Sequence, residues 1–256
     1  MFNDLYTYIP EQWRFYINQS DLSLITNRLN RHRLTDVLPS KHQIFEALTL
    51  IDPEDVKVVI LGYPSPSSDL SSGIAYGIPF EYRFTDIYKR IPHPPIQTSV
   101  IDYLYSILNG ETDTTLRDAV KRGILLLNYP LTCSPGRKLA HIKYGWSTII
   151  KRIIERLLYR SDSSLLLVAW NEDAYSIYTS IVPDWIPNID GSRFTSPSHP
   201  NVTMIISTGP DKNTTVNEPS NKYHKLASRY PFNNERHRSI IAQTIPHLRE
   251  AHMFCH

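Results

Sequence analysis

Residues 56–77 read VKVVILGYPSPSSDLSSGIAYG, and this stretch decides the fold. Residues 56–61 are apolar and mostly β-branched apart from one lysine, which predicts a buried strand in a sheet covered on both faces. Residues 62–72, called the first loop below, are rich in Gly, Pro and Ser and predict a loop at the carboxyl end of that strand. Ligands of open α/β sheets bind at such strand ends, so we expect functional residues here.

The rest of the chain alternates predicted helices with short apolar strands. Strands are predicted at 56–61, 124–128 and 165–170, and helices at 22–33, 43–50, 99–108 and 146–159, with a helix start at 85–90. Asp21 is the expected N-cap of the first helix. Such alternation predicts an α/β fold in which helices flank a central parallel sheet of the four-stranded type.

Length and composition favour a single domain over 1–256. The polar stretch at about 202–230 is predicted to be an insertion that is disordered or partly strand-like around 204–206, and a partner-binding arm agrees with its composition equally well. No apolar run approaches the ~20 residues that span a bilayer, so no membrane partner is expected. The only cysteines are Cys133 and Cys255, which excludes a disulfide framework and a zinc cluster. We expect an intracellular protein, nuclear or cytoplasmic, with no metal and no cofactor.

The net charge of +2 does not by itself indicate nucleic-acid binding. Basic residues nevertheless occur in clusters, namely Arg28, Arg31, His32 and Arg33, then Lys121 with Arg122, Arg137 with Lys138, and Lys151 with Arg152. A face that contacts phosphates and a set of solvated helix and loop ends both agree with this pattern.

The 56–77 segment resembles the first active-site motif of family 1 uracil-DNA glycosylases, a VKVVILG-type strand followed by QDPYH and, after a spacer, GLAF. Further matches follow in order. Residues 38–48 resemble the YPP…IFAAF lead-in, 123–132 match GVLLLNxxLT, 141–146 match SHxxxGW, 165–170 take the place of VFLLWG, and 196–201 resemble HPSPLS. The resemblance covers about 38–200 and implies the glycosylase fold.

The first loop departs from the family motif where the chemistry is expected. Pro64 occupies the position of the water-activating Asp, while Pro66 and Ser67 replace the Tyr that blocks thymine and the His. Asp69 is the only acid left in this loop, displaced by five positions, and is a candidate replacement. Misplacement by ~1 Å can lower a rate about 100-fold, which argues against that role.

By motif position, the resemblance implies that Asn128 reads the uracil edge, Tyr76 is the stacking ring and His199 stabilises the departing base. Each has a structural alternative, since Asn128 could cap its strand, Tyr76 could be a core aromatic and His199 a turn residue. His141 is expected to be structural.

Other positions complete the predicted site. Tyr63, Pro64 and Pro66 are expected to line the base pocket together with Tyr76 and Asn128. Serines that could contact DNA phosphates are Ser67, Ser68 and Ser198, and Val202 is the apolar residue nearest to the family's Leu wedge.

Two functional hypotheses follow. In the favoured one, the protein has lost base excision or retains it only strongly impaired, and it binds single- or double-stranded DNA or a replication or repair protein. The alternative is a divergent active uracil-DNA glycosylase that relies on Asp69 or His199. Binding of a modified or free base without cleavage is a third possibility.

Overall fold

A computed structural model describes residue 2 and residues 4–79, 96–160, 164–210 and 222–245. Six strands of these ranges form one sheet in the order β2-β1-β3-β6-β5-β4. They are β1 (Val58–Gly62), β2 (Ile124–Asn128), β3 (Leu165–Ala169), β4 (Ile186–Pro187), β5 (Phe194–Thr195) and β6 (Val202–Ile206).

The first four strands of that order are parallel, and β5 and β4 extend the sheet antiparallel. The predicted parallel core and its flanking helices are therefore confirmed. Every residue of β1, β2 and β3 is buried, as expected for strands covered on both faces. The antiparallel extension was not predicted, because its two strands have only two residues each and carry no periodic pattern.

Eight α-helices lie in the described ranges: α1 (Gln19–Leu29), α2 (Glu46–Thr49), α3 (Ile96–Ile107), α4 (Arg117–Lys121), α5 (Trp146–Leu158), α6 (Glu172–Ile181), α7 (Lys222–Ala227) and α8 (Glu235–Thr244). Single turns of 3₁₀ helix occur at Leu5–Tyr8, Leu34–Asp36, Pro53–Asp55, Ser68–Leu70 and Ile142–Tyr144, and a longer one at Glu11–Tyr16. None of the described helices combines the length and the apolar composition that a membrane-crossing segment needs.

The first predicted helix buries its apolar face as expected, since Leu22, Ile25 and Leu29 are fully buried in α1. Its start was predicted wrongly. α1 begins at Gln19 after Asn18, so Asp21 lies inside the first turn, where its carboxylate accepts a 2.5 Å hydrogen bond from Arg152. The helix start predicted at 85–90 lies outside the described residues.

The stretch at about 202–230 does not begin as an insertion. Its first five residues are β6, which pairs with β3 in the parallel core. This strand was not predicted as part of the sheet because polar residues follow it directly in the sequence. Residues 211–221 lie outside the described ranges, and the later part of the stretch contains α7.

The chain leaves β1 toward β2 on one side and reaches β3 on the other, which makes the carboxyl ends of β1 and β3 a topological switch point. Asn171 fastens this point. Its Nδ2 donates to the Leu61 carbonyl at 2.8 Å, and its Oδ1 accepts from the Ala174 amide at 2.8 Å and caps α6.

Candidate functional site

Asn128 and Tyr76 both lie beside Gly62, at the carboxyl edge of the sheet. Gly62 and Asn128 are register partners, and the Tyr129 amide donates to the Gly62 carbonyl at 2.7 Å. The Tyr76 ring covers the Gly62 Cα so closely that an added Cβ would lie 2.7 Å from its Cε2 atom. Only glycine leaves room for this ring, so the fold brings the predicted reader and the predicted stacking ring together.

The Asn128 side chain is 4% exposed, and its Oδ1 accepts no hydrogen bond within the described part of the chain. A buried amide oxygen left without a donor costs about 1–3 kcal/mol. A strand cap would satisfy this oxygen locally, whereas here it is buried without a partner among the described residues. It can accept a hydrogen bond from an N–H group such as the imide of a pyrimidine.

Tyr76 is 8% exposed and adopts a left-handed φ of 66°. Its ring meets Trp170 edge to face with centroids 6.0 Å apart. Burial raises the pKa of its hydroxyl, and the nearby Asn171 side chain acts in the opposite direction. Most of the ring surface is thus packed against protein, as the core-aromatic alternative predicted.

Tyr63 directly follows β1, and its side chain contacts the first turn of α6. Its hydroxyl donates to Asp173 Oδ2 at 2.8 Å, and the Lys138 ammonium lies 5.1 Å from its ring centroid. Burial, reinforced by the Asp173 charge, raises the pKa of Tyr63. The next residue, Pro64, is buried and brings no ionisable group to this edge.

The rest of the first loop is fastened to the loop after β2. Pro66 accepts a 3.0 Å hydrogen bond from the Gly136 amide through its carbonyl, and the Cys133 thiol donates to the Ser65 carbonyl at 3.3 Å. Ser67 is half-buried and Ser68 exposed, so both predicted phosphate contacts lie at the carboxyl edge.

Asp69 and Asp173 both lie near this edge. Asp69 is exposed in the short 3₁₀ turn of the first loop, where it accepts a hydrogen bond from Ser68 at 3.3 Å. Asp173, which was not predicted from the sequence, is half-buried and accepts the hydrogen bond from Tyr63. The signal for Asp173 was present, because an Asn followed by two acids directly after a strand marks a helix N-terminus at the carboxyl edge.

His199 lies at the opposite edge, which corrects the prediction of a leaving-group role. Its carbonyl accepts from the Val202 amide, so it precedes β6, whereas Asn128 ends β2. β6 has five residues, and at about 3.3 Å per residue its ends lie about 16 Å apart. The match between His199-Pro200 and the family's H-P dipeptide is local. It does not reveal that His199-Pro200 precedes its strand.

Hydrogen bonds hold this opposite-edge loop together. Ser196 donates to Asp184 at 2.6 Å, the Ser198 amide donates to the same carboxylate at 3.0 Å, and the Ser198 hydroxyl lies 2.9 Å from His199 Nδ1. These contacts, led by that of Ser196, lower the pKa of Asp184 to about 2. Ser198 is therefore remote from the base site, which corrects its predicted DNA role.

Val202 was predicted to be the wedge, and this is wrong because its side chain is 2% exposed within β6. The described loop after β6 comprises Ser207, Thr208, Gly209 and Pro210, none of which has a titratable side chain. Gly209 packs so tightly that an added Cβ would lie 2.6 Å from the Trp170 carbonyl.

The loop after β2 has a rigid polar core centred on His141, which is fully buried. Its two ring nitrogens lie 3.0 Å from Thr132 Oγ1 and 3.1 Å from Ser134 Oγ, and the Trp146 indole also donates to Thr132. Burial, with added repulsion from His32 and Arg137, lowers the pKa of His141 to about 4. His141 thus has the structural surroundings that the sequence predicted.

Comparisons with known proteins fit this geometry. No family model matches the chain. A uracil-DNA glycosylase of Idiomarina loihiensis is 32% identical over 164 residues, 62% of this chain and 67% of that protein. The uracil-DNA glycosylase of Bovine herpesvirus 1.1 is 31% identical over 147 residues, 56% of this chain and 68% of that protein.

Solved structures share the fold. A mimivirus uracil-DNA glycosylase superposes with a TM-score of 0.60 at 17% identity, over 81% of this chain and 71% of its own. The wild-type UNG structure from Nitratifractor salsuginis gives 0.53 at 13% identity, over 93% and 92%. Helices flanking a central sheet are thus common to all three proteins.

Proposed function

This chain belongs to the uracil-DNA glycosylase family, and we propose that it still binds an extruded base but has lost hydrolysis or retains it only strongly impaired. In this proposal it acts as a DNA-binding module in replication or repair, where a protein partner can dock beside the DNA. Uracil is the base to test first, because the named relatives are uracil-DNA glycosylases.

The observation that carries the proposal is the state of the carboxyl edge. Asn128 keeps a buried, unpartnered amide oxygen there, while Pro64 follows Gly62 and Tyr63 where an acid would be needed. Recognition of a flipped base requires edge hydrogen bonds, which Asn128 can supply, and stacking, for which Tyr76 is the predicted ring.

Cleavage of an N-glycosidic bond has a further requirement. It needs groups that activate water and balance the charges that develop on the sugar and on the departing base. One positioned acid or base typically contributes about 10²–10⁴-fold to a rate. Pro64 supplies none, and the described loop after β6 supplies no ionisable replacement. The expected rate is lower by the product of these losses.

One observation favours a second candidate, an active glycosylase. Asp173 lies at the same edge and is linked to the first loop through Tyr63. If this carboxylate activates water, Asp173→Asn abolishes cleavage of a deoxyuridine oligonucleotide while binding persists. In our proposal, the wild type and this variant are equally inactive.

The proposal is tested by fluorescence anisotropy with two labelled single-stranded oligonucleotides, identical except for one deoxyuridine or thymidine. We expect tighter binding of the deoxyuridine strand, and we expect Asn128→Ala to remove this preference without weakening thymidine binding. Asn27→Ala, an exposed asparagine on α1, is the matched control and should behave as wild type.

Equal binding of both strands by the wild type would contradict base recognition. Absence of any DNA binding would contradict the module itself and point to a protein partner instead.

A further inference from the structure

An open cleft lies between α3, the loop after β6 and the first turn of α8. Its volume is about 510 Å³, and its walls are one face of α3, Gly209 and Pro210 after β6, and Phe232 with Arg238. We call it the aromatic cleft. None of the residues predicted for the base site lines it, so the aromatic cleft is a separate site on the protein.

Two aromatic rings of the cleft pack on a third ring behind them. The Phe232 and Tyr103 ring centroids are 5.0 Å apart, and those of both rings lie within 5.5 Å of the Trp170 ring centroid. Tyr103 and Trp170 are buried, whereas Phe232 is only half-buried. The cleft therefore has an aromatic surface on a fixed support, which suits another aromatic ring and limits the ordering penalty of binding.

One cation accompanies the rings. The Arg238 guanidinium lies 5.6 Å from the Tyr103 ring centroid and donates a hydrogen bond to Ser106. Arg238 forms no ion pair in the described part of the chain, whereas Arg236 on the same helix pairs with Asp190. Because a guanidinium has five N–H donors in a planar fork, Arg238 can still hold a carboxylate.

The charge of the cleft fits a carboxylate better than a nucleic-acid strand. Among the described residues that line it, Arg238 carries the positive charge and Asp102 the negative one, so the two nearly cancel. Grooves that bind nucleic-acid strands gather several cations along the path of the backbone. A single carboxylate, by contrast, is matched by one guanidinium. The charge complement of this cleft is therefore an acidic side chain beside an aromatic one.

We propose that the aromatic cleft binds a segment of a partner protein in which a tryptophan or tyrosine stands next to a glutamate or aspartate. The partner's ring packs on Phe232 and Tyr103, and its carboxylate accepts hydrogen bonds from Arg238. Aromatic residues and arginine are the groups that most often dominate the binding energy of protein interfaces.

This inference rests on the part of the proposed function in which a protein partner docks beside the DNA, and it states where the partner docks and by what chemistry. Trp170 connects the two sites. Its ring also meets the Tyr76 ring, with centroids 6.0 Å apart, so the docked segment would lie one ring away from the predicted stacking ring.

The test uses the full chain labelled with nitrogen-15 and two unlabelled blocked peptides, acetyl-Gly-Trp-Glu-Gly-amide and acetyl-Gly-Trp-Gln-Gly-amide. NMR follows the indole N–H signals of the protein, and the Trp170 signal is assigned by its loss in Trp170→Phe. We expect the glutamate peptide to shift the Trp170 signal saturably with a dissociation constant of about 1 mM, the affinity expected for an anchor of this size. The glutamine peptide should bind about tenfold more weakly, because it lacks the charged acceptor.

The variant Arg238→Gln should remove the difference between the two peptides. Continued binding of the glutamine peptide to this variant shows that the aromatic part of the cleft is intact. The matched control is Arg236→Gln, which removes the same charge from the same helix at a side chain that pairs with Asp190 and does not line the cleft. This control should keep the wild-type difference between the peptides.

Three results would overturn the proposal. The first is the absence of a saturable Trp170 shift at about ten times the expected dissociation constant of the glutamate peptide. The second is equal binding of both peptides to the wild type, or an equal loss of the difference in both variants. The third uses thymidine monophosphate as the probe: tighter binding of this nucleotide than of the glutamate peptide, abolished by Arg238→Gln, would identify a nucleotide site instead.

The peptide probes keep this inference separate from base recognition. If the deoxyuridine preference is absent but the peptides bind as expected, base recognition fails and the partner cleft stands. If the preference depends on Asn128 and the peptides do not bind, base recognition stands and the partner cleft fails.

Discussion

The loops that follow β1 and β2 start from paired residues, Gly62 and Asn128, and differ in what they contain. The loop after β2 starts from the buried Asn128 amide and contains the buried His141 network. The loop after β1 has the buried Pro64 close to the strand end and no acid before Asp69. In the function that we propose, the first loop lacks the groups that hydrolysis needs, whereas the loop after β2 shapes a pocket.

This comparison implies that both loops are still needed for the fold, and glycine substitutions test it with the largest expected effect. Gly73 has a φ of +82°, and an added Cβ would lie 1.8 Å from the Gln43 carbonyl oxygen. We expect Gly73→Ala to lower the free energy of unfolding by about 4 kcal/mol, from backbone strain and overpacking together. Urea denaturation measures it.

Gly136 is the matched control in the loop after β2. Its φ of +73° is similar, but nothing lies within 4 Å of an added Cβ. Gly136→Ala should therefore lose only about 1–2 kcal/mol. Equal losses at the two sites would show that Gly73 is not held as closely as its packing against Gln43 implies.

The buried His141 network in the loop after β2 can be tested by the pH dependence of stability. The pKa of His141 is lowered from 6.5 to about 4, chiefly by burial, so the folded protein keeps the ring neutral. The unfolded chain takes up a proton below about pH 6.5, so this stability is full above that pH and is lost as the pH falls toward 4. Between pH 7 and 4 the wild type should lose up to about 3 kcal/mol more than His141→Gln.

The measurement is the free energy of unfolding at several pH values. His42→Gln, at an exposed histidine, should keep the pH dependence of the wild type. If His141→Gln also keeps it, His141 is not the group that loses its proton on folding.

The smallest expected effect concerns the link between the first loop and α6. Tyr63→Phe removes the 2.8 Å hydrogen bond to Asp173 and should lower the free energy of unfolding by about 1–2 kcal/mol, because the acceptor is charged and only half-buried. Tyr159→Phe is the control, since that side chain is 78% exposed. Indistinguishable urea midpoints for the two variants would mean that this link contributes nothing.

The parallel core was predictable from sequence because each of its first three strands is a run of apolar residues between turn signals. Ile124–Asn128 was predicted with its observed bounds. β6 was hidden in a polar neighbourhood, and the two-residue strands β4 and β5 have no periodicity to detect.

The position of Asn128 at the carboxyl edge was predictable, because this residue ends a predicted strand. Tyr76 comes after the first loop in the sequence, and its packing on Gly62 is what places it at this edge. His199, Ser198 and Val202 were misplaced, because a dipeptide match carries no information about which end of a strand it occupies. The position of Asp173 at this edge had a local signal in Asn171 and the two acids after it, but its contact with Tyr63 joins distant segments, which local sequence patterns do not encode.

The central claim is that base recognition survives without hydrolysis. Its most direct measurement uses excess protein and a labelled deoxyuridine oligonucleotide, with the bound fraction and the alkali-cleaved fraction determined on the same sample. We predict that the strand is bound and stays intact over hours. Alkali-labile sites that form in the wild type and disappear with Asn128→Ala would contradict the account and identify an active glycosylase.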